Sequence, residues 1–292
     1  MATSVYAGFN ELLSRLQLTD NQRESANTKV AAIKKFFKDD FAMAEAPITI
    51  GSYARNSIVR TERDIDILAP LNYPHYKATY DNKPQEMLYM VRDALNDEYG
   101  STTVSSQKVA VKLKFTDITV DVVPCFRREG GGYLMPNGGG GWMGTNPPFH
   151  TGLMSESNTK HGNHLRSVVK FMKFWNNCNG HHLSSLHVEL MTQRVWRDSD
   201  LSKYSYSRAA AETLRCMPSW TKVSFADPWD SGKSSRSIDS YLKAGERARA
   251  VRMLEQDATN SKQAEEYLNK GQAEKAFERW QVVFGQQFPA YG

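Results

Sequence analysis

The chain has 292 residues, with 37 lysines and arginines against 32 aspartates and glutamates for a formal net charge of +5. That length suits one large core or two packed lobes, and with no run of about 18 apolar residues and no basic-then-apolar leader, a cytoplasmic protein is expected. Cys125, Cys178 and Cys216 are too few and too widely spaced for a disulfide framework or a Cys-x-x-Cys zinc clip.

Residues 4–18 and 20–40 carry helical apolar spacing, through Phe9, Leu12, Leu13 and Leu16 and then Val30, Ile33, Phe36 and Phe37, with Thr19 or Asp20 as a cap between them. Both helices are expected to brace a sheet. Its strands are expected at 47–50, 64–70, 108–116 and 118–125, with a helix over 84–98 against them. The glycine-rich stretch 129–144 reads as two short strands joined by a turn. Past Asn146-Pro147-Pro148 the pattern turns helical, over 158–176, 184–197, 207–216, 234–256 and 259–284. The class expected is α+β, with a sheet-bearing region over 1–150 and a helical region over 151–292.

In TERDIDILAPL, residues 61–71, Ile65, Ile67 and Ala69 share one face of a strand while Asp64 and Asp66 share the other. In ITVDVVP, residues 118–124, Asp121 faces away from Ile118, Val120 and Val122, so a neighbouring strand would bring a third carboxylate beside the first two. At roughly 5 Å and an effective dielectric of about 20, each pair repels by about 3 kcal/mol, which demands a countercharge or proton uptake. Oxygen donors without His or Cys favour Mg²⁺ or Mn²⁺, and two such ions about 3.5 to 4 Å apart can clamp the attacking and leaving oxygens of an in-line phosphoryl displacement. Upstream, PITIGSY ends a short strand at Gly51, where the backbone can approach a phosphate, and Ser52 with the following amides can cradle a triphosphate. Alone, an Asp-x-Asp is usually a solvated loop and a Gly-Ser usually a turn. The ordered set points to two-metal nucleotidyl transfer, with Asp64, Asp66 and Asp121 as catalytic metal ligands.

GSYARNSIVRTERDIDILAPL and VDVVPCF resemble the catalytic signature of the polymerase β-like nucleotidyltransferases, and more closely the bacterial relatives of cyclic GMP-AMP synthase and oligoadenylate synthase that make signalling nucleotides in anti-phage defence. SVVKFMKFWNNCNGHHLSSLHVE is similar to the helix-loop-helix of that family that holds the donor triphosphate, and FERWQVVFGQQFP to its usual ending. The resemblance implies a mixed sheet facing a helical C-terminal lobe, with the active site in the cleft between them. It also implies contacts of Lys173 and Ser185 with the β- and γ-phosphates, and of Asp227, with Trp229, near the base through the segment FADPWDSG. Where animal relatives stack an aromatic residue on the donor base this chain has Leu186, which leaves Tyr53, Tyr204, Tyr206 and Trp229 as stacking candidates. Some operons of the family encode enzymes that conjugate the synthase's C-terminal residue, which makes Gly292 a candidate attachment point.

The residues themselves support part of that carry-over. Lys170 and Lys173 lie on a helix side away from Val168, Val169, Met172 and Trp175, and Ser185 can cap a helix beginning at Leu186. Lys108, Lys112 and Lys114 share a face of the strand before that of Asp121, placed either to hold an acceptor nucleotide or to meet solvent. Elsewhere the basic residues are scattered, so the positive balance suits nucleoside triphosphates, ATP or GTP, without an obligatory nucleic acid. The expected activity is synthesis of a cyclic di- or trinucleotide second messenger. Its alternatives are an RNA-directed or linear-oligonucleotide transferase, which needs a large basic surface, and a non-catalytic nucleotide-binding module, which loss of a carboxylate would mark.

Overall fold

The computed structural model describes residues 2–230 and 237–292. In chain order its helices are α1 (Val5–Leu16), α2 (Asp20–Asp40), α3 (Gly51–Ala54), α4 (Tyr73–Tyr80), α5 (Pro84–Glu98), α6 (Pro147–Lys160), α7 (Leu165–Cys178), α8 (Ser185–Asp198), α9 (Tyr206–Lys222), α10 (Ala244–Asn269) and α11 (Ala273–Phe284). The strands are β1 (Ile48–Ile50), β2 (Asp64–Leu71), β3 (Thr103–Gln107), β4 (Ala110–Lys114), β5 (Thr119–Arg127), β6 (Tyr133–Pro136) and β7 (Trp142–Thr145). The chain divides into two compact units, a sheet unit of Leu18–Asn56 and Glu62–Thr151, and a helical unit of Met1–Gln17, Ser57–Thr61 and Gly152–Gly292.

In the sheet unit the strand order is β1-β2-β5-β4-β3, with β6 and β7 continuing from β5. Strands β2 and β5 run parallel and the other pairs antiparallel, which makes the sheet mixed. One face is wholly apolar: Ile65, Ile67, Val111, Leu113, Val120 and Val122 pack with Val30, Ile33 and Phe37 of α2 and Met87, Leu88, Val91 and Leu95 of α5. Alternation along β2 and β5 then places Asp64, Asp66 and Asp121 on the opposite face. Thr19 starts α2 with a reciprocal capping box to Gln22, a device that contributes about 1 kcal/mol. The glycine-rich stretch forms the two short strands β6 and β7, as its composition indicates.

The structure differs from the sequence reading in several places: the helix expected over 158–176 is broken between Lys160 and Leu165, and the helix expected from 234 starts at Ala244. The segment read as one strand over 108–116 is half of a hairpin, β3 paired with β4, and Lys108 occupies its turn at φ 42°, so it leaves the lysine face. Helix α1, expected to brace the sheet, is part of the helical unit. Its Phe9 stands edge-on to Phe171 at 5.2 Å, Trp280 at 4.8 Å and Phe288 at 5.2 Å, filling a socket of rings that periodicity cannot reveal. The expected break near residue 257 is also absent. Helix α10 continues because Asp257 turns inward, accepting from Trp175 Nε1 at 2.8 Å and from Asn260 at 3.0 Å, and the chain breaks later at Gly271, φ 69°. The part of the expected helix at 234–236 lies outside the described residues.

The chain ends of the helical unit are joined. Ala2 N donates to Ala290 O at 3.0 Å, Gly292 N donates to Ala2 O at 3.4 Å, and Tyr291 lies against Phe277 with ring centroids 5.4 Å apart. Among the described residues no helix is long and apolar enough to cross a membrane.

Candidate active site

The parallel register of β2 and β5 pairs Asp66 directly with Asp121, and Asp64 with Thr119. On the other side of β5, Lys112 of β4 is the register partner of Asp121. One row across the polar face therefore reads Ile50, Asp66, Asp121, Lys112 and Ser105. Burial, and next the charge of Asp121, push the Asp66 carboxyl up to about 6, against the pull of Arg55 and Lys112. Burial raises Asp121 as well, while its hydrogen bond from Lys112 opposes the rise.

Lys112 Nζ lies 3.0 Å from the Asp121 carboxylate and 3.4 Å from Asp64 Oδ1. Burial disfavours its charge, but the hydrogen bond to Asp121 and the fields of both carboxylates outweigh that and hold its pKa above the ordinary lysine value. The sequence placed Lys112 on this face without showing that it bridges two of the three carboxylates. Asp64 is the outlying member, with its side chain 58% exposed. Among the described residues no three His, Cys, Asp or Glu side chains are gathered closely enough to enclose one ion, so the carboxylates share a face without forming a closed cage.

Gly51, φ 71°, follows β1 and opens the single turn α3. A β-carbon there would overlap Asp66 Oδ2. The glycine read from sequence as room for a phosphate is thus required first as room for Asp66. Ser52 is half-buried in the same turn, and the Tyr53 hydroxyl donates to Asn27 Oδ1 at 2.7 Å. The sheet unit therefore brings together Gly51, Ser52, Asp64, Asp66 and Asp121.

Lys173, Ser185 and Asp227 lie in the helical unit. Lys173 is 1% exposed. It pairs with Glu189 at 3.4 Å and donates to Ser57 O at 3.2 Å, while Ser57 Oγ donates to Glu189 Oε2 at 2.8 Å. This is a buried ion pair on the inner side of α7, where the sequence suggested a cation on a separate face, and Lys170 is buried with it. The signal for Glu189 was there to be read: an acid enclosed by Val188, Leu190 and Met191. Ser184, not Ser185, caps α8 by accepting from His187 N at 3.3 Å, and Ser185 is its first helical residue. Asp227 is 1% exposed, and its Oδ1 accepts from Trp229 N at 3.0 Å, which folds its own loop; Ser231 and Gly232 of FADPWDSG lie outside the described residues. Of the other stacking candidates, Tyr206 donates to Ser167 Oγ at 3.2 Å, and Tyr204 carries Arg208 over its ring at 4.4 Å.

A family model described as Second Messenger Oligonucleotide or Dinucleotide Synthetase domain matches residues 1–158. A cyclic AMP-AMP-AMP synthase of Acinetobacter sp. is 29% identical over 301 residues, covering 96% of this chain and 84% of the relative. The fold is shared with CdnC of E. coli MS115-1 in its ATP complex, at TM-score 0.78, 15% identity and 98% of both chains. CdnC also matches in its complex with HORMA-deltaN, at TM-score 0.78, 15% identity and 96% of both chains. The cyclic AMP-GMP synthase DncV of Vibrio cholerae, solved with the linear intermediate 5' pppA(3',5')pG, matches at TM-score 0.76 and 16% identity over 99% of this chain and 97% of DncV.

Proposed function

This chain belongs to the second messenger oligonucleotide or dinucleotide synthetase family, and from that premise we propose that it joins nucleoside triphosphates into a cyclic oligonucleotide signal, releasing pyrophosphate at each bond, in anti-phage defence. The observation that carries the proposal is the β2–β5 register, which sets Asp66 against Asp121 with Asp64 on the same face. Asp66 set against Asp121 is an unfavourable like-charged arrangement that Lys112 offsets from one side only, and a bound divalent cation would offset the rest. The donor set is all oxygen, and Asp121 Oδ1 is buried and accepts no hydrogen bond, with the Lys112 ammonium 3.0 Å away, which fits Mg²⁺ or Mn²⁺.

In this reading Asp64, Asp66 and Asp121 hold the divalent cations, which when bound activate the acceptor hydroxyl and offset the charge of the leaving pyrophosphate. Gly51 lets Asp66 stand against the backbone, and Ser52, in the same turn, is assigned to the donor phosphates. Lys173, Ser185 and Asp227 keep the nucleotide-contact roles that the family resemblance gives them only as assignments to be tested by substitution. For Lys173 the tie to Glu189 argues instead for a structural role.

The Acinetobacter relative is named for a cyclic AMP-AMP-AMP product, so ATP is the first substrate to test and the cyclic trinucleotide the first product to seek. The HORMA-deltaN complex of CdnC suggests a protein partner to try alongside a conjugating enzyme. Conjugation through Gly292 requires the tail to separate from Ala2, to which it is hydrogen-bonded.

The test is incubation of the purified protein with Mg²⁺ or Mn²⁺ and each labelled triphosphate, without RNA or DNA, followed by phosphatase and mass spectrometry. A phosphatase-resistant product of cyclic mass is expected. Phosphatase-sensitive ladders or a strict need for RNA would overturn the cyclic reading in favour of a linear transferase. No turnover under any of these conditions would favour a binding module.

A further inference from the structure

Lys112 is the one lysine of its face that reaches the carboxylates of the candidate site, and it does so at the atoms that matter. Its ammonium stands 3.0 Å from Asp121 and 3.4 Å from Asp64, while Lys114, two residues on, pairs in register with Thr119 and Thr103. The Lys112–Asp121 contact is cross-strand, between side chains 24% and 19% exposed, and so is less screened than a surface pair. A divalent cation bound by Asp121 and Asp64 would need oxygens that the ammonium already engages. Two cations cannot approach those oxygens together without strong repulsion.

Resting on the metal-site reading above, we propose that Lys112 is a resident countercharge that competes with divalent cations for Asp64 and Asp121, so that metal binds tightly only together with a nucleoside triphosphate. A triphosphate supplies both halves of the exchange. Its oxygens offer the ammonium a new anionic partner, and they contribute ligands to the metal ions. Lys112 is thereby a positioning residue. It holds Asp121 and Asp64 in place on the sheet while no competing cation is bound, and it couples metal loading to substrate.

The expected behaviour of the lysine differs from that of a plain structural salt bridge. Removing a structural bridge lowers stability and leaves ion affinity alone or weakens it through disorder. Removing a competitor raises ion affinity. A hydrogen bond to a charged group sets the scale of the competition at about 10- to 100-fold.

The experiment is titration of Mn²⁺ into the full chain, followed by the loss of the free-ion electron paramagnetic resonance signal, with and without a non-hydrolysable ATP analogue, each analogue titration referenced to the same analogue without protein because the triphosphate itself binds Mn²⁺. Without nucleotide, Lys112→Gln should bind Mn²⁺ about 10- to 100-fold more tightly than wild type, whereas Lys112→Arg, which keeps the charge, should not. Lys114→Gln measures the general effect of losing a nearby cation and should change affinity by less than about threefold. With the analogue present, the wild type and Lys112→Gln should converge. Should Lys112→Gln fail to fold, Lys112→Met, which keeps the stem and drops the ammonium, is read in the same titration. Equal nucleotide-free affinities for wild type and the neutral variants would overturn the proposal, as would an equal gain in Lys114→Gln. Failure of the underlying reading looks different: wild type would then bind no Mn²⁺ even with the analogue, and Asp121→Asn would change nothing.

Discussion

Each unit contains a cluster of charge, half-buried in the sheet unit and fully buried in the helical unit, and the two are built on opposite principles. In the sheet unit Asp66 and Asp121 are neighbours of like sign, held together by strand register and eased by Lys112 from one side. In the helical unit Lys173 and Glu189, 1% and 0% exposed, answer each other and share Ser57. A balanced pair supports the packing around it, because removing either member strands the other in a medium that solvates it poorly. A like-charged pair supports nothing by itself. Under the proposed function it is kept for metal binding at the expense of stability.

The largest expected effect breaks the comparison at its functional end. Asp66→Asn and Asp121→Asn should each reduce cyclic-product formation by at least about 100-fold without unfolding the protein, as checked by product assay and circular dichroism. Retention of wild-type turnover by either variant would dispose of the metal-ligand assignment. At the structural end, Glu189→Gln should destabilise by about 3 to 5 kcal/mol by leaving Lys173 unanswered, measured by denaturant unfolding. The double variant Lys173→Met with Glu189→Leu should recover much of that loss. If the double variant folds well but binds ATP as wild type does, Lys173 has no part in phosphate contact.

The two units should also respond to pH in opposite senses. Asp66, raised to about 6, adds stability below its ordinary carboxylate range and loses it as pH rises through about 6. Asp66→Asn should therefore melt higher than wild type at pH 8, by at most about 3 kcal/mol, with the gain vanishing near pH 4. His187, lowered to about 4 chiefly by burial, stabilises the neutral protein above its ordinary value and loses that contribution as pH falls from about 6.5 towards 4. Replacement of His187 by Asn should flatten the acid side of the melting profile, again by at most about 3 kcal/mol. Thermal melts of the three proteins from pH 4 to 8 settle both signs. The smallest effect separates adjacent serines: Ser184→Ala should cost about 1 kcal/mol as a lost helix cap, while Ser185→Ala should weaken ATP binding if its assigned role is correct.

What was legible in the chain was whatever depends on alternation. Ile65, Ile67, Val120 and Val122 against Asp64, Asp66 and Asp121 is a period-two pattern, and the sheet honours it residue by residue. Less legible was whatever depends on the third dimension. Nothing in the spacing of Phe9, Leu12 and Leu16 says that their partners lie beyond residue 150, and nothing around Lys173 names Glu189 as its counterion, although they lie on consecutive helices. Gly51 shows the difference within one residue. Its place beside Ser52 marks the turn, but only packing shows that its missing β-carbon makes room for a carboxylate.

The docking of α1 among α7, α9 and α11 has a consequence for how the protein is made. Helix α1 is synthesised well before Trp280, Phe284 and Phe288, the rings that enclose Phe9. At a ribosomal rate of about 5 to 20 residues per second the interval is roughly 13 to 55 s. During that time the sheet unit can complete itself, because its residues after α1 and before Gly152 need nothing from the C-terminal helices for their strand pairing. Until α7 and α9 are made, Phe9, Leu12 and Leu16 lack their partners there, and until the last rings arrive the socket of Phe9 stays open on one side, an apolar surface offered to chaperones or to a second nascent chain. The helical unit is therefore closed by its last few residues, and a ribosome that stalls short of Phe288 releases a protein with a finished catalytic sheet and an unfinished core.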